Sequence, residues 1–226
     1  MTDWQSNKER FVKIYQHYIK REGADRLLEY LLSEKSDFFT APASTRFHGA
    51  YPGGLAEHSI NVFKCLCDFV ERKRFSEEYK NNYLNRIKNI YPEIPEKERI
   101  SFEFTPETIA IVALLHDLCK VNFYKTEMRN VKQNNAWVSA PYYSITDEMP
   151  FGHGEKSVFI VQNFMRLTVD EAFAIRYHMG FSTEDNPNQV GRAFEMYPLA
   201  FALCVADMEA SYFIEGETVK KGTFEF

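Results

Sequence analysis

The chain is short of the features that mark several common protein classes. It has four cysteines in 226 residues, which excludes a disulfide-built scaffold. Those four, Cys65, Cys67, Cys119 and Cys204, all fall in apolar stretches and read as small buried thiols. Cys65-x-Cys67 lacks the spacing of a zinc knuckle or a redox pair. No apolar run reaches about 18 residues, so no transmembrane helix is expected. The N-terminus is polar and carries no signal-peptide core, and a cytoplasmic protein is the expectation. Positive charge is not in excess either: the formal net charge is −5, which gives no general attraction to long nucleic acid. No internal repeat or low-complexity segment is visible. Aromatics, in contrast, are plentiful, with 20 Phe and 13 Tyr. A chain of this size and composition buries a substantial core.

Periodicity predicts a mainly α-helical protein. Two helices are expected at the N-terminus, Glu9 to Lys20 and Ala24 to Ser33, the second with an apolar face of Leu27, Leu28, Leu31 and Leu32. A loop with Pro42, Gly49, Pro52 and Gly53 follows. The next helix runs from Leu55 to about Arg74 and is apolar on two rows, one of them His58, Val62, Cys65 and Phe69. Such a helix is largely buried, so His58 points into protein. Residues 71–104 read as a polar insertion. Thr105-Pro106 supplies an N-cap and a first-turn proline for a helix expected to end near Lys120. Residues 121–150 change character and predict a β-hairpin, in which Trp137, Tyr142 and Tyr143 serve packing rather than base stacking. A helix from Glu155 to Arg166 and a capped helix starting at Thr168-Val169-Asp170-Glu171 follow. Residues 181–196 read as loop. Pro198 opens the last core helix, and the tail from Glu215 onward reads as polar and peripheral. The expected layout is N-terminal helices over 1–46, a core domain over 47–212 with insertions at 71–104 and 121–150, and a tail over 213–226.

The chemistry lies in six positions: His58, His116, Asp117, His153, His178 and Asp207. His116-Asp117 interrupts the run Ile111-Val112-Ala113-Leu114-Leu115-His116-Asp117-Leu118. Burying an imidazole beside a carboxylate among aliphatics is costly unless something compensates. A divalent cation does so, because it accepts the imidazole lone pair and neutralises the carboxylate. Each residue also has an ordinary reading. A lone buried histidine is usually a satisfied core residue. His153 between two glycines suits a turn. His178 and Lys120 suit the C-terminal ends of helices.

Taken together, these positions resemble a known pattern. Tyr51-Pro52-Gly53-Gly54-Leu55-Ala56-Glu57-His58-Ser59 is similar to the first motif of HD-domain metal-dependent phosphohydrolases. Leu114-Leu115-His116-Asp117-Leu118-Cys119-Lys120 resembles their central His-Asp motif. Gly152-His153-Gly154-Glu155-Lys156-Ser157, Arg176-Tyr177-His178-Met179-Gly180 and Val205-Ala206-Asp207 resemble the later motifs, in the same order. The likeness covers roughly residues 47–212. It extends to the HD domains of bacterial 3′–5′ exoribonucleases, without their OB-fold domain.

The resemblance implies an HD-type helical bundle. It implies a first metal held by His58, His116, Asp117 and Asp207, and a second near His153 and His178, with Asp117 bridging. The donor set admits Mn, Fe, Ni, Co, Zn or Mg. Lys120 is implied as a phosphate contact, with Cys119 standing where the family usually has glycine. His48, Lys156 and Arg176 are further candidates for substrate contacts. The implied activity is hydrolysis of a phosphate ester of a nucleotide or short oligonucleotide. A 3′–5′ exonuclease, a metal-binding regulatory module without turnover, and oxidative chemistry at a di-iron site are the competing readings.

Overall fold

The computed structural model describes residues 4–72, 85, 104–133, 135–182 and 185–215. Most of the 71–104 insertion and the tail beyond Glu215 lie outside the described residues. Among the described residues the architecture is mainly helical with one small antiparallel sheet. The helices are α1 (Trp4–Tyr18), α2 (Ala24–Leu32), α3 (Gly54–Arg72), α4 (Pro106–Leu115), α5 (His153–Gln162), α6 (Val169–Tyr177), α7 (Pro187–Met196) and α8 (Pro198–Glu209). A single 3-10 turn, Leu118–Lys120, follows α4, and a π-helical turn, Ala210–Ile214, follows α8. No helix among the described residues is long and apolar enough to cross a membrane.

The centre of the fold is α4. Every residue from Ile109 to Leu115 is buried, as expected of a helix that is apolar on all sides. Each such aliphatic side chain contributes about 1.5–3 kcal/mol on burial. The helix starts as its sequence dictates, with the Thr105 side chain accepting from the Thr108 N–H and Pro106 in the first turn. It packs on α1, α3 and α6, and α8 closes the bundle against α3 and α6. Phe11, Tyr15, Leu27 and Leu31 belong to the same core as Leu55, Leu66, Leu114 and Leu203. The N-terminal helices are thus part of that core and not an appendage to it.

One polar knot lies inside this packing. Thr168 and Glu171 form a reciprocal capping box at the start of α6. The buried Glu171 carboxylate also accepts from both Arg21 guanidinium nitrogens, at 2.7 and 2.8 Å, and from the Thr108 hydroxyl at 3.0 Å. The α1–α2 connection, α4 and α6 are joined there.

The predicted hairpin is present as β1 (Tyr124–Gln133) and β2 (Ala136–Ile145), paired antiparallel from Tyr124↔Ile145 to Gln133↔Ala136. Asn135 turns the chain with a φ of 63°, a left-handed conformation that asparagine tolerates. Trp137 and Met128 are exposed. Tyr142 donates to Glu127 and lies under Arg129, so this tyrosine serves the hairpin itself, whereas the exposed Trp137 departs from the packing expectation.

Three expectations are corrected. Residues 181–196 are not all loop: Asn186 caps α7 by accepting from the Asn188 N–H, Pro187 occupies the first turn, and Val190, Ala193 and Met196 are buried. Gly191, which invites a loop reading, stands in open space and breaks nothing. The central helix ends at Leu115 and not at Lys120. His116 is its C-cap, and Asp117 sits beyond it at φ −105°, ψ 21°. Glu215 is not peripheral: its side chain is almost fully buried against α3.

Next to the capping box, one carboxyl oxygen of Asp170 is buried without a hydrogen-bond partner among the described residues. Burial, with the adjacent Glu171 charge, lifts its pKa from 3.8 to about 6. The native protein therefore holds this proton more tightly than the unfolded chain. Stability falls as pH rises from about 4 to about 6, and the cost is complete above that range. Asp170→Asn is expected to raise Tm relative to wild type at about pH 7.5, the two values converging below about pH 4. Identical Tm at both pH values would show that water solvates Asp170 in the native state.

Candidate metal centre

The ends of helices supply most of the site. His58 is the exception, projecting from α3, while Asp207 comes from the last turn of α8. His116 and His178 occupy matching places as the C-caps of α4 and α6. The last carbonyls of a helix lack intrahelical partners. In both cases the imidazole fills that need: His116 Nδ1 lies 2.9 Å from the Ala113 carbonyl, and His178 Nδ1 lies 2.7 Å from the Ile175 carbonyl. The bond places the proton on Nδ1 and leaves the Nε2 lone pair free, the arrangement common to metal-ligating histidines. His153 is the first residue of α5. Its neighbour Gly154 lets α5 approach α6, since a Cβ there would stand 2.2 Å from the Arg176 carbonyl oxygen.

These ends converge on Asp117. Its Oδ2 lies 3.6 Å from His58 Nε2 and 3.5 Å from His116 Nε2. Its Oδ1 lies 2.9 Å from His153 Nε2 and 3.5 Å from His178 Nε2. His58 Nε2 is 3.2 Å from both His116 Nε2 and Asp207 Oδ1. All six sequence-predicted ligands are therefore gathered in one cluster. Four overlapping groups in and beside it have donor atoms close enough to share an ion: His58, His116 and Asp207; His116, Asp117 and His178; Asp117, Cys119 and His153; and, on the Nδ1 side of His58, His48, His58 and Glu215.

The donor set fits a divalent cation. The His178 Nε2 atom is buried with no hydrogen-bond partner among the described residues, a costly state for a polar atom. Two imidazole nitrogens, His58 Nε2 and His116 Nε2, face each other at 3.2 Å, although His116 already commits its proton to the Ala113 carbonyl. Ligand atoms around one ion lie at about this separation when each is roughly 2.0–2.1 Å from it.

The electrostatics favour ligation. Burial works to raise the Asp117 carboxyl, but the Lys120 ammonium chiefly, with the surrounding histidines, holds it well below the usual carboxylate range. Burial is likewise outweighed at Asp207, where the hydrogen bond to His58 leads the downward shift. Burial pushes His116 down to about 3, so this imidazole is neutral. At His58 burial acts downward, yet the hydrogen bonds to Asp207 and Glu215 prevail and hold the pKa up to about 10. A proton held there is one that a cation would displace.

The substrate candidates are placed differently from one another. Lys120 Nζ lies 2.6 Å from Asp117 Oδ2, and the lysine is buried. The 3-10 turn brings them together as an i,i+3 pair. Cys119 has no positive φ, so this turn does not require glycine, and Lys120 is aimed inward at Asp117. The Cys119 thiol lies 3.4 Å from His153 Nδ1, and burial pushes its pKa up to about 12. The His48 ring lies tilted against that of His58, with ring centroids 4.8 Å apart. Its Nε2 is buried and has no hydrogen-bond partner among the described residues. Lys156 and Arg176 already hold carboxylates of the chain: Lys156 binds Asp147 at 2.5 Å, while Arg176 binds Glu155 at 2.5 Å and Asp185 at 2.6 Å.

Two residues escaped the sequence reading. Glu215 lies 3.0 Å from His58 Nδ1 and accepts from Asn61 Nδ2 at 2.9 Å. Asn61 stands one helical turn after His58, a spacing that could have marked it. Nothing in the polar tail marked Glu215.

No protein-family model, curated protein or solved structure matches the chain, so the reading of this centre rests on its own geometry. That geometry predicts uptake of divalent metal. His116→Ala and Asp117→Asn are each expected to reduce it sharply, as measured by equilibrium titration with Mn²⁺ or Zn²⁺. The asparagine is chosen because alanine would strand the buried Lys120 ammonium. Full occupancy in both variants would exclude these residues as ligands.

Proposed function

We propose that this chain is an HD-type metal-dependent phosphohydrolase that cleaves a phosphate ester of a nucleotide or short oligonucleotide. The observation that carries the reading is the division of the Asp117 carboxylate, with Oδ2 directed to His58 and His116, and Oδ1 to His153 and His178. A carboxylate with a separate pair of imidazoles at each oxygen suits a bridge between two cations. On this reading His58, His116, Asp117 and Asp207 would hold one ion, and Asp117, His153 and His178 would hold the other. Bound divalent ions supply Lewis acidity there, lowering the pKa of water and neutralising phosphoryl charge.

The chain's own residues do the rest. His153 has the most exposed side chain of the six, at 30%, against 0–2% for His58, His116, Asp117 and His178. Substrate therefore enters on the His153 side. Lys120 keeps its proton, because Asp117 outweighs the effect of burial. Its ammonium adds fixed positive charge beside the reacting phosphoryl group, where it is worth most in the transition state. Burial chiefly lowers the pKa of His48, and its buried Nε2 lies beside the centre without a hydrogen-bond partner among the described residues. The apolar shell from α3 and α4 excludes water from the inner side of the site.

The stoichiometry is one test. Wild-type protein is expected to bind two ions at saturation, and His153→Ala or His178→Ala to bind one, counted by elemental analysis after dialysis. A wild type that never exceeds one ion defeats the bridging assignment and leaves a mononuclear hydrolase.

Turnover is the other test. A panel of nucleoside mono-, di- and triphosphates and short oligoribonucleotides with Mn²⁺ should show hydrolysis. Lys120→Ala should retain metal while kcat/KM falls by roughly ten- to thousandfold. Metal binding without turnover of any member would make the chain a binding module. Unchanged kinetics in the Lys120 variant would remove it from phosphate recognition.

A further inference from the structure

The π-helical turn after α8 has a consequence for the buried half of the centre. An α-helix rotates about 100° per residue. Glu215 follows Asp207 by eight positions, so a continuous α-helix would set the two side chains about 80° apart. Residues Ala210–Ile214 instead form a π turn, closed by the Glu215 N–H donating to the Ala210 carbonyl at 2.9 Å. A π turn accommodates one extra residue. The effective spacing becomes seven, which returns Glu215 to within about 20° of the Asp207 face. Both carboxylates then reach the same imidazole from opposite edges: Asp207 Oδ1 lies 3.2 Å from His58 Nε2, and Glu215 Oε2 lies 3.0 Å from His58 Nδ1.

Glu215 is held in place from α3. Asn61, one turn beyond His58, donates from Nδ2 to Glu215 Oε1 at 2.9 Å. The Glu215 side chain is only 4% exposed, and a buried carboxylate needs donors of this kind. His58 lacks what His116 and His178 have. It sits within α3 and not at a helix end, so no free carbonyl at a C-cap stands ready to take its Nδ1 proton. Glu215 supplies that acceptor.

We infer that Glu215 is a positioning residue for His58, holding the proton on Nδ1 so that the Nε2 lone pair is presented to a cation alongside His116 and Asp207. The inference rests on the metal-binding reading above. Glu215 is not itself a ligand of that ion, because it addresses the ring nitrogen on the far side from Asp207. The π turn is the device that delivers it.

The test uses the full chain with Mn²⁺ and Co²⁺ as probes. Glu215→Ala should weaken Mn²⁺ affinity at the tighter site by about 10–100-fold in a chelator-competition titration, the usual effect of losing an outer-shell partner. Glu215→Gln should retain most of the affinity, since its amide oxygen can accept the same proton. Asn61→Ala should fall between wild type and Glu215→Ala. The visible spectrum of the Co²⁺-saturated protein should be unchanged in position and intensity in Glu215→Gln, because the ligand set is intact. Thermal melts in excess chelator check that each variant is folded, and Glu215→Gln carries the test if the alanine variant is not. Affinity within twofold of wild type for Glu215→Ala would overturn the inference while leaving the metal site standing. A Co²⁺ spectrum altered in Glu215→Gln would overturn it by making Glu215 a ligand. A wild type that takes up neither ion overturns the metal reading and this inference with it.

Discussion

Everything in the centre is arranged around one buried carboxylate. Asp117 is 2% exposed and meets Lys120, His58, His116, His153 and His178 within 3.6 Å. An isolated carboxylate in such a place would take up a proton instead of staying charged. Lys120 prevents that, at a separation of 2.6 Å. Yet one ammonium does not balance the cluster, because Asp207 and Glu215 add two further carboxylates around His58. His58, whose pKa is held up to about 10, adds one positive charge when protonated, and two positive groups still fall short of three carboxylates. A divalent cation makes up the difference, while also taking up the lone pairs that face inward. The same requirement explains why the apolar core of α4 stops where it does. Seven buried aliphatic and small residues end at Leu115, and the next two residues are His116 and Asp117.

Helix termini do much of the positioning. The C-terminal ends of α4 and α6 both point at the cluster, each with a capping histidine. The negative end of a helix dipole favours a cation nearby. Capping and ligand orientation are therefore one interaction here: the imidazole that satisfies the helix end also turns its second nitrogen toward the centre. His58 has no such end to cap, and its orientation depends on side chains from α3 and the π turn. This makes the His58 side of the centre the more dependent on long-range packing, since Glu215 is brought to it from 157 residues away in the chain.

The legibility of the site in the sequence follows from this division. His116-Asp117 was visible because two polar residues interrupt a long apolar run, and burial is forced by the residues on either side. The capping box at Thr168 was visible because its reciprocal bonds need two fixed residue types at a fixed spacing. Helix α7 was not read, although Asn186-Pro187 is a sound start signal and Val190, Ala193 and Met196 form its buried face. The end of α4 was misplaced because a 3-10 turn keeps an i,i+3 neighbour close much as an α-helix does; Lys120 meets Asp117 either way. Glu215 was illegible for a deeper reason. Its position depends on a π turn, and a change of helical register by one residue leaves no mark in composition or periodicity. Pairing between α3 and the chain beyond α8 is a tertiary fact.

The two halves of the cluster differ in access, and this sets how the site can work. Around Asp117 Oδ2 the neighbours are nearly sealed: His58 and His116 are 0–1% exposed, and Asp207 is 14% exposed at its side chain. Around Oδ1, His178 is sealed but His153 opens to solvent. A cation in the first half would exchange slowly and serve structure as well as chemistry, since its removal leaves several buried polar groups uncompensated. A cation in the second half would exchange more readily. Lys120 bridges this difference: it binds the carboxylate oxygen of the sealed half and stands at the start of the segment that leads into the hairpin. Tyr124, the first residue of the hairpin, lies close enough to Lys120 and Asp117 for their charges to act on its phenol.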